Sequence, residues 1–200
     1  MVGIREPRCQ PQAGPGADNQ GRPTGIGTTP AFLYFAYGSN MSARRLRAVD
    51  RAPSATRVAV GRVVGYRLTF DKVGRLDGSG KCDCERNVLA DGSAGEVVWG
   101  VVWRIDPAER AALDRVEGKG AGYRDAIVQV ETADGQLPAM TYLATDKDPA
   151  LKPFDWYRHH VLAGAIEAGL PVPWIDSIRR VATIVDPDPV RAANEYARYR

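Results

Sequence analysis

The sequence predicts an α+β fold, a mixed and strongly curved β-sheet or barrel with flanking helices, on three observations. Strand patterns fill the first three-quarters of the chain and helical patterns the last quarter. The run Val97-Val98-Trp99-Gly100-Val101-Val102-Trp103 is apolar on both faces, as a strand with neighbours on either side requires. A third signal is the hairpin at Ala133-Asp134-Gly135-Gln136, where Asp-Gly joins the strand patterns Ala126–Thr132 and Leu137–Thr145.

With 200 residues, 44% of them hydrophobic and 26% charged, the chain suits one domain with a substantial core. Residues 1–30 are rich in Gly, Pro, Gln and Arg with little to bury, and read as a disordered leader. The domain then spans 31–200. Net charge is +3, with basic residues dispersed among acidic ones, which argues against a nucleic-acid partner. Three cysteines, Cys9, Cys82 and Cys84, are too few for a disulfide framework and fit a reducing cytoplasm. No apolar run nears the roughly 20 residues of a membrane span.

Phe32–Ala36 is apolar, bounded by Pro30 and Gly38, and suits a buried strand. Ser42 is placed to cap a short helix through Asp50. Val58–Phe70 reads as two strands interrupted at Gly61 and Gly65. The polar stretch Val73–Gly95 reads as a long loop around one short strand, Cys82–Val88. Asp106, Pro107 and Glu109 signpost a helix with a variant capping box, Leu113 and Val116 form its buried stripe, and Gly118 ends it. Beyond Pro153, the stripe Trp156, His160, Ala163, Ile166 and Ala168 marks a helix ending at Gly169. A short helix over Pro173–Val181 and a polar one to Arg200 close the chain.

Two features point to chemistry. Tyr37-Gly38-Ser39-Asn40-Met41 lies between a buried strand and a capped helix, where backbone N–H groups converge on an anion or a developing oxyanion, though Gly-Ser-Asn is also ordinary turn chemistry. Glu117 ends its helix, where the backbone dipole disfavours negative charge and so favours a carboxyl that can trade a proton. Asp114, one turn earlier, reads as structural or exposed. Cys82-Asp83-Cys84 lacks the second ligand pair of a zinc site. His159 and His160 point apart and read as surface or core-edge residues. Arg44, Arg45 and Arg47 read as a solvated helix face. Trp99, Trp103, Trp156 and Trp174 read as core packing. No P-loop, dinucleotide fingerprint, HExxH or nucleophile elbow is present, and neither a metal nor another cofactor is expected.

Tyr34-Phe35-Ala36-Tyr37-Gly38-Ser39-Asn40-Met41 resembles the signature of the γ-glutamylcyclotransferases. Val97–Trp103, Leu113-Asp114, Glu117-Gly118, Gly122-Tyr123 and Thr141-Tyr142-Leu143 are similar to that family in order and approximate spacing, so that the likeness covers residues 32–185. The resemblance implies a mixed-barrel fold and a cofactor-free reaction in which the α-amine of a small γ-glutamyl substrate attacks its own γ-carbonyl and releases 5-oxoproline, chemistry that belongs to glutathione and γ-glutamyl metabolism. Glu117 matches the acid/base, Tyr37, Gly38, Ser39, Asn40 and Met41 the binding loop, and Tyr142 and Tyr123 the pocket tyrosines that would hydrogen-bond the substrate or Glu117. The leader and the Cys82–Arg86 stretch depart from the family pattern, the latter bearing on substrate choice. A relative that removes a γ-glutamyl protecting group from a biosynthetic amine, one that acts on γ-glutamyl-lysine-type amines, and a non-catalytic module that senses a γ-glutamyl metabolite are the alternatives. A homodimer is compatible with the sequence, which does not specify it.

Overall fold

A computed structural model describes residues 30–89 and 95–198, so the disordered-leader expectation and Cys9 lie outside the described residues. Five strands close into a barrel in the order β1-β5-β2-β6-β7, with β1 Phe32–Ala36, β2 Thr56–Val64, β5 Val97–Ile105, β6 Tyr123–Thr132 and β7 Gly135–Ala144. Every pairing is antiparallel except the closing one, where β1 and β7 run parallel and Tyr34 meets Met140. The mixed, curved sheet is therefore present. β5 lies between β1 and β2, with Val98, Val101, Val102, Trp103 and Ile105 buried. Gly100 is the point of closest approach to β1: a Cβ there would lie 2.3 Å from the Ala36 carbonyl oxygen.

A two-stranded ribbon of β3 (Tyr66–Val73) and β4 (Gly80–Arg86) packs beside the barrel. Gly65, at φ 80°, turns the chain from β2 into β3 as expected. Gly61 does not interrupt. It stays in β2 because β6 passes so close that a Cβ would lie 2.5 Å from Val130 Cγ1, and the irregularity falls instead between Arg57 and Ala59. The expected long loop after Val73 is shorter than its composition suggested, since β4 starts at Gly80 and buries Cys82, Asp83 and Cys84. Asp83 is tolerated inside because its carboxylate accepts from Ala144 N at 2.7 Å and faces Lys147 Nζ at 3.1 Å.

Helices flank the barrel. α1 spans only Ala43–Leu46 instead of continuing to Asp50, because Arg51 N bonds Ala48 O and Ala52 N bonds Leu46 O, folding the chain back. The Ser42 hydroxyl caps nothing; it is buried against α3 (Asp155–Ala168). There Gly164 admits the loop, for a Cβ would lie 2.7 Å from Ser42 N and 2.9 Å from Met41 Cβ. The buried face of α3 accordingly includes Trp156, Tyr157, His160, Val161, Gly164, Ala165 and Ala168, whereas Ile166 is exposed. α2 (Arg110–Glu117) follows a 3-10 turn capped by Asp106, whose carboxylate accepts from Ala108 N at 2.8 Å. The capping box is relayed: Glu109 accepts from Ser54 Oγ at 2.6 Å, and that oxygen accepts from Asp106 N at 2.9 Å. α4 (Val172–Arg179) and α5 (Pro189–Ala197) complete the fold. Among the described residues no helix is long and apolar enough to cross a membrane.

His160 is fully buried, which corrects the surface or core-edge expectation. Its Nδ1 lies 3.2 Å from Arg45 Nη1 and its ring packs on Trp156. Burial and the Arg45 guanidinium hold the imidazole down to about 3, against about 6.5 in an unfolded chain. Between those values the unfolded state binds a proton that the folded state does not, so stability is full above pH 6.5 and falls as the pH drops toward 3. Urea midpoints are expected to decline between pH 7 and pH 5, and to decline less in His160→Gln. A slope unchanged by the substitution would assign the acid sensitivity elsewhere.

Candidate active site

The sheet and helix ends converge on one small pocket. Tyr34, Tyr37, Gly38, Ser39, Asn40, Cys82, Glu117, Tyr123, Tyr142 and Tyr157 line it. β1 delivers Tyr34, and the chain leaving it carries Tyr37 into a 3-10 turn over Ser39–Met41. Met41 N bonds the Gly38 carbonyl at 3.0 Å, which fixes the turn. Gly38 has little room for a side chain, since a Cβ would lie 3.1 Å from Cys82 Cβ on β4. Met41, expected in the binding loop, turns its side chain into the core against α3 and is not part of the pocket lining. Arg45 does not sit on a solvated face: its Nε donates to Ser39 Oγ at 3.1 Å and steadies the loop from behind.

Glu117 is the last residue of α2, and Gly118 follows in the left-handed conformation at φ 71°, as the sequence requires. Asn40 bridges the loop and this helix end. Its Nδ2 donates to Glu117 Oε1 at 2.7 Å and to the Tyr34 hydroxyl at 3.2 Å. Arg51 completes the triangle, with Nη1 3.2 Å from Asn40 Oδ1 and 3.4 Å from Glu117 Oε1. The carboxylate is thus held by the loop that lines the pocket with it.

The tyrosines are tied to backbone and to one another. Tyr37 OH donates to the Tyr142 carbonyl at 2.5 Å, and Tyr123 OH to the Cys82 carbonyl at 2.5 Å. Tyr157 OH accepts from Cys82 N at 3.2 Å. Tyr142 OH, expected toward the substrate or Glu117, donates instead to Asp114 Oδ1 at 2.6 Å. Asp114 therefore has the structural role expected of it, holding Tyr142 together with Arg110 and Lys119. Tyr34, Arg51 and Tyr157 belong to the site without having been singled out for chemistry, whereas Cys82 lies in the stretch expected to bear on substrate choice. Tyr34 stood in the quoted signature; nothing in the spacing of Arg51 or Tyr157 marked either.

The protonation states separate the candidates. Burial raises the Tyr34, Tyr37, Tyr123, Tyr142 and Tyr157 phenols above their ordinary value, so at neutral pH they are hydrogen-bonding groups and not bases. Burial likewise raises the Cys82 and Cys84 thiols, which removes the thiolate a nucleophile needs. For Asp114 burial acts upward, but hydrogen bonds from Tyr142 and Arg110 outweigh it and hold the carboxyl below its usual range. Glu117 is the carboxylate in the pocket lining, where the other polar side chains are phenols, a thiol, a hydroxyl and an amide. Among the described residues no three His, Cys, Asp or Glu side chains gather as metal ligands.

A profile of the AIG2-like family matches residues 97–178. The chain is 32% identical over 154 residues to a human protein named γ-glutamylcyclotransferase, covering 76% of this chain and 79% of that one. A mouse protein of the same name is 33% identical over 153 residues, covering 75% and 78%. A solved structure titled γ-glutamyl cyclotransferase superposes with a TM-score of 0.74 at 27% identity, covering 84% of this chain and 98% of the other.

Proposed function

We propose that this chain, which belongs to the γ-glutamylcyclotransferase family and shares its cyclotransferase activity, uses Glu117 to release 5-oxoproline and a free amine or amino acid from a γ-glutamyl compound. The observation that carries the reading is the Asn40 to Glu117 bond at 2.7 Å, which joins the loop to the carboxylate within one pocket lining. Glu117 takes a proton from the substrate α-amine. The amine nitrogen attacks the γ-carbonyl carbon, closing a five-membered ring and pushing the carbonyl electrons onto oxygen. Backbone N–H groups of Gly38, Ser39 and Asn40 receive that oxyanion, the Met41 N–H being committed within the turn. The oxyanion then collapses to restore the carbonyl, the carbon–nitrogen bond breaks with its electron pair leaving on the amine nitrogen, and Glu117 returns the proton to that nitrogen. The nucleophile belongs to the substrate, which fits a pocket whose cysteine and tyrosines are held protonated.

Cys82 and Cys84 are buried free thiols, which fits a reducing cytoplasm as the place of action. The purified protein should release 5-oxoproline from at least one member of a panel of γ-glutamyl dipeptides, glutathione and γ-glutamyl-lysine. A folded protein that binds a panel member without turnover would instead be a γ-glutamyl metabolite sensor.

A further inference from the structure

A second cavity touches the binding loop away from Glu117: Met41 lines it and does not line the Glu117 pocket. Its apolar lining includes Met41, Val101 and Trp103, all buried, and its charged lining is Arg47, Arg57 and Glu167, all exposed. Each charged side chain is tethered to the backbone by one bond. Arg47 Nε donates to the Ala55 carbonyl at 2.7 Å, Arg57 Nη2 donates to the Ala168 carbonyl at 2.8 Å, and Glu167 Oε1 accepts from Ala43 N at 3.0 Å. Among the described residues none of the three forms an ion pair, either with one another or with a fourth side chain. Two cations and a carboxylate therefore border one cavity with their charges unmatched. Trp103 supplies an independent observation. It is only 2% exposed, and among the described residues its Nε1 has no hydrogen-bond partner. A buried N–H left unpaired is costly, and folded proteins rarely keep one. Arg57 is its register partner on β2, and Arg47 Cζ stands over its ring at 5.9 Å from the centroid, a contact weak enough to be exchanged.

The complementary ligand carries an anion for the arginines, a cation for Glu167 and an apolar body for the buried lining, all within a few bonds. A simple anion is opposed by Glu167, and a simple amine by the two guanidinium groups. We propose that this cavity is a second ligand site, one that takes a free α-amino acid with an aliphatic side chain. Its carboxylate lies between Arg47 and Arg57 and accepts from Trp103 Nε1 as Arg47 lifts from the ring. Its ammonium meets Glu167, and its side chain packs on Met41 and Val101. The site is separate from the Glu117 pocket, so the inference goes beyond the γ-glutamyl reading and its test needs no turnover.

L-Leucine, isocaproate and isoamylamine share a branched apolar body and carry, respectively, both charges, the carboxylate alone and the ammonium alone. Binding of each to the full chain is measured by calorimetry, and tryptophan fluorescence is followed in parallel. Leucine should bind at least about tenfold tighter than either relative. It should also shift the fluorescence, and Trp103→Phe should lose most of that shift. Arg57→Gln should weaken leucine and isocaproate by about tenfold without weakening isoamylamine, and Arg57→Lys should keep much of the affinity. Glu167→Gln retains an oxygen to accept from Ala43 N, and should weaken leucine and isoamylamine without weakening isocaproate. Melting curves check that the variants fold, and the Glu167 arm stands by itself if Arg57→Gln does not. Leucine binding that neither substitution alters places the ligand elsewhere, in the Glu117 pocket for instance, and overturns the site. Equal affinity for the three compounds, or no binding of millimolar leucine by folded protein, overturns it as well.

Discussion

Glu117→Gln is expected to lower kcat by about 10²–10⁴ with little change in KM and little change in thermal midpoint. The substitution keeps an oxygen that can accept from Asn40 and Arg51, whose donors lie 2.7 and 3.4 Å from Oε1. The pocket wall should therefore stand, and what is lost is the proton carrier. Steady-state kinetics of 5-oxoproline release, beside a melting curve, check this. Retention of more than a tenth of kcat would remove Glu117 from the acid/base role. Asp114 is a poor substitute, since Tyr142 and Arg110 hold its carboxyl below the usual range and a group so held is slow to pick up a proton at neutral pH. Asp114→Asn should act instead through Tyr142, by loosening that ring.

The elements legible in the sequence are those whose instructions are local. β1, β5 and the β6–β7 hairpin declare themselves by apolar runs and an Asp-Gly turn, and the end of α2 by Gly118 at φ 71°. The loop and Glu117 were legible for the same reason, each lying at the end of a well-marked element. β4 was only half legible. Its Lys81-Cys82-Asp83-Cys84-Glu85-Arg86 looks like loop chemistry until Lys147, more than sixty residues away, meets Asp83 at 3.1 Å and Glu85 at 2.7 Å. The stripe of α3 misled at Ile166 because small residues face the loop, and close packing there rewards Gly164 over a large apolar side chain. Buried His160 escaped because its partners Arg45 and Glu195 come from α1 and α5. In each case the deciding contact is long-range and leaves no periodic trace.

Arg51 is the largest such omission, and its removal should carry the second large effect. It follows α1 in a segment without motif or periodicity, yet its side chain is only 12% exposed and one nitrogen, Nη1, serves both Asn40 and Glu117. A charge-assisted contact of this kind is worth about 1.5–3 kcal/mol, so Arg51→Met is expected to lower kcat/KM by about 10- to 100-fold. Because Asn40 touches both Arg51 and Glu117, the three act as a unit and their losses should not add. Asn40→Ala and Arg51→Met combined should cost less than the product of the single effects. Arg51→Lys should restore part of the activity, since it returns the charge without the planar fork. Kinetics of the four proteins of that cycle and of Arg51→Lys, with melting curves to confirm folding, decide the matter. Strictly multiplicative losses with no recovery in the lysine variant would mean that Arg51 merely packs against the helix end. Sub-multiplicative losses would mean that the binding loop and the acid/base are positioned by one shared hydrogen-bonded triangle, so that a γ-glutamyl group ordering the loop also sets Glu117 in place.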